Sequence, residues 1–574
     1  MSIIWKPNGQ LDVCTDPTDL PQETDGKNIT SGAMTRCKNL HLYESGVAKT
    51  RWGSYRLAQS ALTGIVTKMI QMGSTRYEMT YSNIYTDGTS RASGYSNAVW
   101  SALIYHLLGS TTQTVYATNG TDQVKMEGNR VYNWGIEAPG TVPTAVAGAS
   151  TGLTGQYYVV YTYLRKSGST VLCESNISAA STPGITLSNQ SLAITWTASA
   201  DSQVTHVRLY RTAAGGSTYY FLKDVAIGTT STDDATADSS LGSTYPSSHY
   251  RPPSACSYVF GPSLNGTLFA IDAHLLYYCS PKEPEYWPLT YYIEVSTPTD
   301  PLLAGCFFDG MPYVFSKRRI YQIRGSGHGT FFPLEMNAFT GIYGRKCFAP
   351  VPGKGIFHMG SDGIYLFNTT GDVKATQQRF DPIFMGETRH GMPGVDYEYS
   401  NHILIVWHDR LYVFYKSTED ANAPASCIVF NVTSGKTSYY KYPFEIREAC
   451  VDDYNDRLLI ADTNGYIWKI EDQGYPTDYV SVSSFTAISW ESESKEFTLQ
   501  TRAHFPRWTK YDVDAHLATT ASGYMLLDGA IHQTHTLSGD RQTRKRLIET
   551  GNGKRASVRI GGSGPVEIFA CEFE

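Results

Sequence analysis

A chain of 574 residues is too long for one hydrophobic core, which rarely grows beyond about 250–300 residues, so several domains are expected. Charged side chains make up only 17% of it and aromatic ones 13%, with 41 tyrosines; strands favour aromatic and β-branched residues and turns favour Gly, so the mix predicts an all-β protein. The net charge of −6 argues against a protein that grips nucleic acid over its whole surface, and the longest apolar runs, such as residues 403–407, fall far short of a bilayer span, so no membrane segment is expected.

Residues 1–10 hold no long apolar core, so no signal peptide is expected. Residues 30–54 (TSGAMTRCKNLHLYESGVAKTRWGS) read as a tight hairpin. A small-residue turn leads into Asn39 and Leu40, a polar turn follows at Glu44, Ser45 and Gly46, and Arg51, Trp52 and Gly53 close the segment. Residues 1–60 are therefore assigned as an amino-terminal hairpin or arm, separable from the rest.

Residues 76–88 (RYEMTYSNIYTDG) and 115–135 carry paired strands with Tyr-rich ends. Five later segments share that design: residues 275–280 (LLYYCS), 320–325 (IYQIRG), 364–371 (IYLFNTTG), 428–435 (IVFNVTSG) and 467–474 (IWKIEDQG). Each is a short apolar-aromatic strand preceded by another strand, and most end in a polar turn. Measured from Leu276, the intervals are 44, 44, 64 and 39, the long one holding the small and polar loop 417–426; a period near roughly 40–50 residues with several strands per unit signals a β-propeller, whose blades must close into a ring to cover each other's apolar faces. Residues 61–137 are expected to form the first blades and residues 251–474 the main propeller, six or seven blades in all.

Between them, residues 156–164, 192–197, 204–212 and 219–225 are strands separated by Gly/Ser turns, the pattern of a β-sandwich. Their order resembles a fibronectin III or immunoglobulin-like module, without the Cys…Trp…Cys arrangement of antibody domains. Residues 138–250 are assigned to this inserted sandwich. Residues 475–574 alternate polar and apolar at 489–499, 511–517 and 556–560, which predicts a small carboxy-terminal β-barrel-like domain.

The ten cysteines are scattered with no CxxC pair, so neither a metal site nor a redox motif is expected, and buried free thiols are the reading. Motifs for zinc, phosphate-loop or nucleophile-elbow chemistry are missing, and the Gly325-to-Gly329 stretch (GSGHG) lacks the Lys-Ser/Thr of a phosphate cradle. His402 and His408 fall in and beside one strand; Asp452 and Asp453 are adjacent carboxylates; residues 462–468 (DTNGYIW) come near a sialidase-type turn but do not recur. None pairs a nucleophile with a base, so no enzyme activity, cofactor or metal is expected.

The hairpin at residues 30–54, with Asn39, Leu40, Arg51, Trp52 and Gly53, resembles the amino-terminal signature of nozzle, or tail-tube hub, proteins of short-tailed bacteriophages. Residues 490–510, with Glu493, Ser494 and Lys495, and residues 545–553 (KRLIETGNG) are similar to the carboxy-terminal domain of that family. The resemblance implies a structural virion protein made in the host cytoplasm: a homo-hexameric ring in the tail. Such a ring would meet the portal complex and its adaptor, carry tail fibres or a needle, retain packaged double-stranded DNA and conduct it during ejection. In that reading Asn39, Leu40, Arg51, Trp52 and Gly53 dock to the neighbouring ring. The basic cluster Arg541, Arg544, Lys545 and Arg546 contacts another subunit or lies near DNA, and Glu419 and Asp420 belong to a lumen or gate loop. The alternative is a glycan-binding or glycan-hydrolysing propeller on a phage tail, which the abundant Tyr and Trp would suit.

Overall fold

The computed structural model describes residues 2–573 apart from residues 8–10, 16, 18–19, 25–27, 44–46, 59, 107–112, 150, 247–248, 377, 474–475, 482–483, 499–509, 539–542 and 547–554. The turn expected at Glu44, Ser45 and Gly46 lies outside the described residues. The protein is all-β; among the described residues the only α-helix is Asp381–Phe384. Among the described residues no helix is long and apolar enough to cross a membrane. The chain divides into two compact units, residues 1–90, 315–320 and 335–574, and residues 91–314 and 321–334.

In the first unit, Phe348–Val351, Gly355–Met359, Ile364–Asn368 and Gly371–Lys374 lie side by side in chain order. The pairing is antiparallel, with Ile356 opposite Phe367 and Tyr365 opposite Lys374. Val66–Met72, Thr75–Thr80 and Asn83–Thr86 begin a second such sheet, and Ile403–Trp407, Arg410–Tyr415, Ser426–Asn431 and Thr437–Lys441 make a third. The last array, Ile446–Asp452, Arg457–Asp462 and Ile467–Asp472, takes its fourth strand from the other end of the sequence: Gly53–Arg56 pairs antiparallel with it, Tyr55 opposite Lys469. Neighbouring sheets share cores. Phe414, Tyr440 and Val429 pack with Leu458, Ile460 and Trp468, and Val66, Met69 and Tyr85 pack with Leu459, Ala461 and Ile467.

Three more four-stranded sheets have most of their residues in the second unit: Ser101–Tyr105 to Arg130–Asn133, Tyr258–Phe260 to Tyr292–Glu294, and Leu302–Phe308 to Phe332–Glu335. Leu103, Tyr116 and Trp134 share a core with Val259, Ala270 and Trp287; Phe269 and Leu276 share one with Val314 and Ile323. All five strands singled out by their repeated apolar-aromatic design, at 275, 320, 364, 428 and 467, occupy the third place in their sheets. Asp-Gly pairs close tight turns where they stand between strands: Asp87 and Gly88, with φ of 49° and 77°, and Asp309 and Gly310, with 48° and 73°. Both residues of a type I′ turn need positive φ, which Asp tolerates and Gly adopts at no steric cost.

The second unit also holds the inserted segment. Thr170–Glu174, Val159–Ser167, His206–Thr212 and Tyr219–Ala226 form one sheet; Thr144–Ala147, Leu192–Thr195 and Ser231–Asp234 form another; Leu153–Tyr157 pairs with Ile185–Gln190. The strand expected over residues 156–164 is two strands in different sheets, parting at Tyr158, whose N–H donates to Thr212 Oγ1 (3.1 Å) instead. One core, including Tyr161, Val207, Leu187 and Ile194, joins these sheets. The segment is fastened to the four-stranded sheets beside it. Arg165 forks onto Glu127 (2.9 and 2.5 Å), and Gln203 Nε2 donates to the carbonyls of Asn133 and Gly135. Two of those four-stranded sheets are tied to each other by the fully buried Lys125 ammonium, which meets Glu285 at 2.5 Å.

The amino-terminal arm and the carboxy-terminal region, which the sequence separates at residues 1–60 and 475–574, are interleaved. Met34–Lys38 lies between Thr437–Lys441 and Ser489–Ser494, and the sheet continues through Arg555–Ser563 and Ala521–Leu527 to Ala530–Leu537, ten strands in total. Ser2–Trp5 and Ala48–Thr50 both pair with Val566–Phe573. The indole of Trp5 is fully buried and donates to the carbonyl of Ala33 (3.1 Å).

Candidate functional site

Asn39 sits between strands Met34–Lys38 and Leu40–Leu42 with φ of 55°, a left-handed conformation that Asn tolerates better than most residues. Its side chain bridges three parts of the chain. Oδ1 accepts from Arg51 Nε (3.2 Å) and from the Lys441 N–H (2.8 Å), and Nδ2 donates to the Ser489 carbonyl (2.7 Å). Arg51, 1% exposed, uses all five of its N–H groups. Besides Asn39 it meets both carboxylate oxygens of Asp478 (3.1 and 2.6 Å) and the carbonyls of Trp52 (2.9 Å) and Lys441 (3.2 Å). Its guanidinium lies 4.5 Å over the Tyr442 ring. Ser54 Oγ donates to Asp478 as well (2.9 Å). Bidentate pairing inside a low-dielectric core is the strongest form of ion pair, and it needs this full set of partners to offset desolvation.

The sequence assigned Asn39, Leu40, Arg51, Trp52 and Gly53 to the docking of another ring. Asn39, Leu40, Arg51 and Gly53 are buried, and their contacts run within the chain; Trp52 is the half-buried one. It lines a 540 Å³ cleft with Lys49, Pro476, His516, Pro565 and Glu567, at whose edge Lys49 and Glu567 pair at 2.6 Å. Asn39 and Arg51 thus build a clasp, with Leu40 and Gly53 buried in the strands beside it and Trp52 the half-buried member.

Beside the clasp, Glu471 is 2% exposed, and Tyr442 donates its hydroxyl to Oε1 (3.1 Å). Burial pushes its carboxyl up to about 7, against the pull of Arg51, Arg410 and the Tyr442 hydroxyl, with the Asp478 charge adding to the rise. Arg410 is also held by His41 Nε2 (2.9 Å), and burial with that guanidinium and Lys436 lowers His41 to about 3. A carboxyl raised from 4.5 stabilises the fold fully below its unfolded value, and that contribution is lost as the pH climbs through 7. Glu471→Gln is therefore expected to be more stable than the wild type at pH 8 and closer to it at pH 5. Urea unfolding at the two pH values checks this, and a gap that stays constant would show Glu471 ionises freely.

Asp420, expected to face a lumen, is 8% exposed. It accepts the N–H groups of Ser417 (2.9 Å) and Ala425 (3.3 Å) and pairs with Lys441, so it fastens its own loop; Glu419 is exposed. The carboxylate is the natural partner for bare backbone donors in a tight loop, which is why it turns inward. Arg541 lies outside the described residues. Arg544, Lys545 and Arg546 lie on strand Thr543–Arg546, which pairs with Lys510–Leu517 so that Arg544 stands opposite Asp512. Arg559 pairs with Glu493 (2.8 Å) and Glu491 (3.3 Å), and Arg555 with Glu496 (3.0 Å).

His402 is buried; the Lys416 N–H donates to its Nδ1 (3.2 Å), and burial pulls it to about 4. His408 lies in a surface turn, stacked on Trp407 and 2.8 Å from Asp456. Asp452 caps its turn through Asn455 (3.0 and 2.8 Å), while Asp453 is exposed. In DTNGYIW, Asp462 accepts from the N–H groups of Asn464 and Tyr466 and from the Trp468 indole (2.9 Å), a turn cap and anchor. His328 of GSGHG stacks on Tyr291 at 4.0 Å. These groups do not converge on one cleft, and among the described residues no cluster of three or more metal-type ligands occurs. All ten thiols are free, and eight are buried.

In the second unit a 710 Å³ cavity is walled by Tyr245, Tyr250, Tyr277 and Trp287, with Asn176 and Arg251 among its polar groups. Sequence reading did not find it, because its walls come from four separate stretches of the chain, residues 136–138, 176–177, 245–253 and 277–289.

No protein family matches the sequence, and no curated protein does. Among solved structures, the computationally designed Ika8 protein is similar over 71% of this chain and 98% of its own, at 7% identity and a TM-score of 0.33. Raptor from Chaetomium thermophilum is similar over 74% of this chain and 29% of its own, at 8% identity and 0.30. A putative 6-phosphogluconolactonase from Bacteroides uniformis is similar over 55% and 92%, at 11% identity and 0.25.

Proposed function

We propose that this chain is a structural virion protein, the nozzle or hub ring of a short-tailed phage tail, which retains packaged DNA and conducts it during ejection. The observation that carries the reading is the clasp. The segment that resembles the nozzle signature, residues 30–54, supplies a strand to the last four-stranded sheet and another between that region and the carboxy-terminal strands. Its Asn39 and Arg51 fit those places by chemistry. Among the described residues, the seven four-stranded arrays outside the inserted segment support a seven-bladed propeller whose last blade is completed by Gly53–Arg56. The inserted segment, with its single core, supports a fibronectin III-like sandwich.

In this reading the chain works by stiffness. Six copies would form the ring below the portal and its adaptor, Trp52 and its cleft would meet the neighbouring ring, and exposed Glu419 would face passing DNA. A lining that attracts phosphate would slow sliding and make it salt-dependent, so a net negative chain suits a conduit. Mass measurement of the purified protein, with antibody labelling of intact virions, tests the proposal. A hexamer located in the tail is expected; a monomer absent from particles overturns it.

The cavity walled by Tyr245, Tyr250, Tyr277 and Trp287 favours a second reading, a glycan-binding tail protein, because aromatic faces and polar groups such as Asn176 and Arg251 together suit a sugar ring. Oligosaccharide binding abolished by Tyr250→Ala would support it.

A further inference from the structure

Among the described residues, two sheets of the first unit end in strands that have no strand paired to their outer edge and carry no charge or proline. The six-stranded sheet runs from Ile446–Asp452 through Gly53–Arg56 and Thr477–Ser481 to Ser484–Ala487 (SFTA), all four of whose residues are exposed. The ten-stranded sheet ends in Ala530–Leu537 (AIHQTHTL), in which Ala530, Ile531, His532, Thr534 and Thr536 are exposed while Leu537 is buried. Ile531 at 53% and Phe485 at 42% are large apolar side chains left in solvent there. Neither strand contains a charged residue or a proline. Edge strands of monomeric proteins are blunted by Lys, Pro, bulges or a covering loop, because a bare row of N–H and C=O groups templates another strand. In the long strand one bulge falls at His532, where the pairing skips from Gln533 to Ile531. It leaves residues 533–537 as a regular run, close in length to residues 484–487.

We propose that the two edges pair with each other between copies of this chain, the 533–537 edge of one adding to the 484–487 edge of the next. The occupant is a second copy because the chain itself presents both halves: two uncharged strands of similar length, at the ends of different sheets. Bringing them together buries no charge. The contact is head-to-tail, with a different patch on each side, and such contacts close into rings when the rotation permits. The proposal rests on the ring reading above and adds which surfaces join the subunits.

The test is assembly measured by native mass spectrometry and sedimentation on the full chain. Thr534→Lys and Thr486→Lys each place a charge on an exposed edge position, and melting curves confirm that each variant folds. Each is expected to raise the concentration needed for assembly at least about tenfold, the effect of roughly 1.4 kcal/mol at one interface. Combining Thr534→Lys with Thr486→Asp is expected to restore assembly by pairing opposite charges across the strands. Amide exchange over residues 533–537 is expected to slow in the assembled protein relative to the monomer. Folded single variants that assemble like the wild type overturn the strand pairing while leaving the ring reading intact. A wild type that stays monomeric at every concentration overturns both.

Discussion

Arg51→Met is expected to cost about 3–5 kcal/mol of stability, the usual penalty for removing one partner of a buried ion pair. Asp478 would keep only Ser54 Oγ of its side-chain donors described above, and its charge would stay in a core that excludes water. Asn39 Oδ1 would keep only the Lys441 N–H, and the carbonyls of Trp52 and Lys441 would lose the guanidinium donor at the same time. Urea unfolding followed by tryptophan fluorescence measures the loss, and proteolysis within residues 1–56 should accelerate. Arg51→Met combined with Asp478→Leu is expected to recover part of the stability, since the second change removes the stranded charge. A single variant as stable as the wild type would show that the clasp is not what holds the arm.

Deleting residues 1–54 is expected to abolish folding of the first unit, an effect larger than any point substitution. The deletion removes Met34–Lys38 from the middle of the ten-stranded sheet and takes Gly53 and Ser54 from the strand that completes the last four-stranded array. It also removes the fully buried Trp5 and Leu40. Typical domain stabilities of about 5–15 kcal/mol leave no room for such losses. Soluble yield and circular dichroism of the truncated chain check this. A folded, soluble truncation would return the arm to the status of a detachable docking element, as its sequence alone suggests.

The parts of the fold that depend on neighbours in sequence were legible. Repeated strands such as residues 364–368 announce themselves by apolar-aromatic runs, and their antiparallel partners lie one tight turn away. Asp87-Gly88 closes its hairpin by a local conformational preference, which a sequence carries in full. What was hidden depends on partners hundreds of residues distant. Nothing in residues 53–56 names residues 467–472 as their neighbours, and a four-residue strand has too few alternating positions to declare a face. Arg51 read as a surface cation because arginine is rarely buried, and only the placement of Asp478 reverses that expectation. The inward contacts of Asp420 were hidden in the same way: an acidic residue in a polar loop looks solvent-facing until the backbone donors of Ser417 and Ala425 turn toward it.

The clasp also imposes a timetable on the ribosome. Arg51 and Asp478 are 427 residues apart in sequence. At synthesis rates of roughly 5–20 residues per second, the arginine waits about 20–85 s before its carboxylate exists. Through that interval the early strands Met34–Lys38 and Gly53–Arg56 lack their partners in Ser489–Ser494 and Ile467–Asp472. They are nascent chain with open edges, and the first unit becomes a finished body only when translation nears its end. Slowing elongation after residue 472 should therefore lengthen the chain's dependence on holding chaperones, whereas slowing it before residue 30 should not.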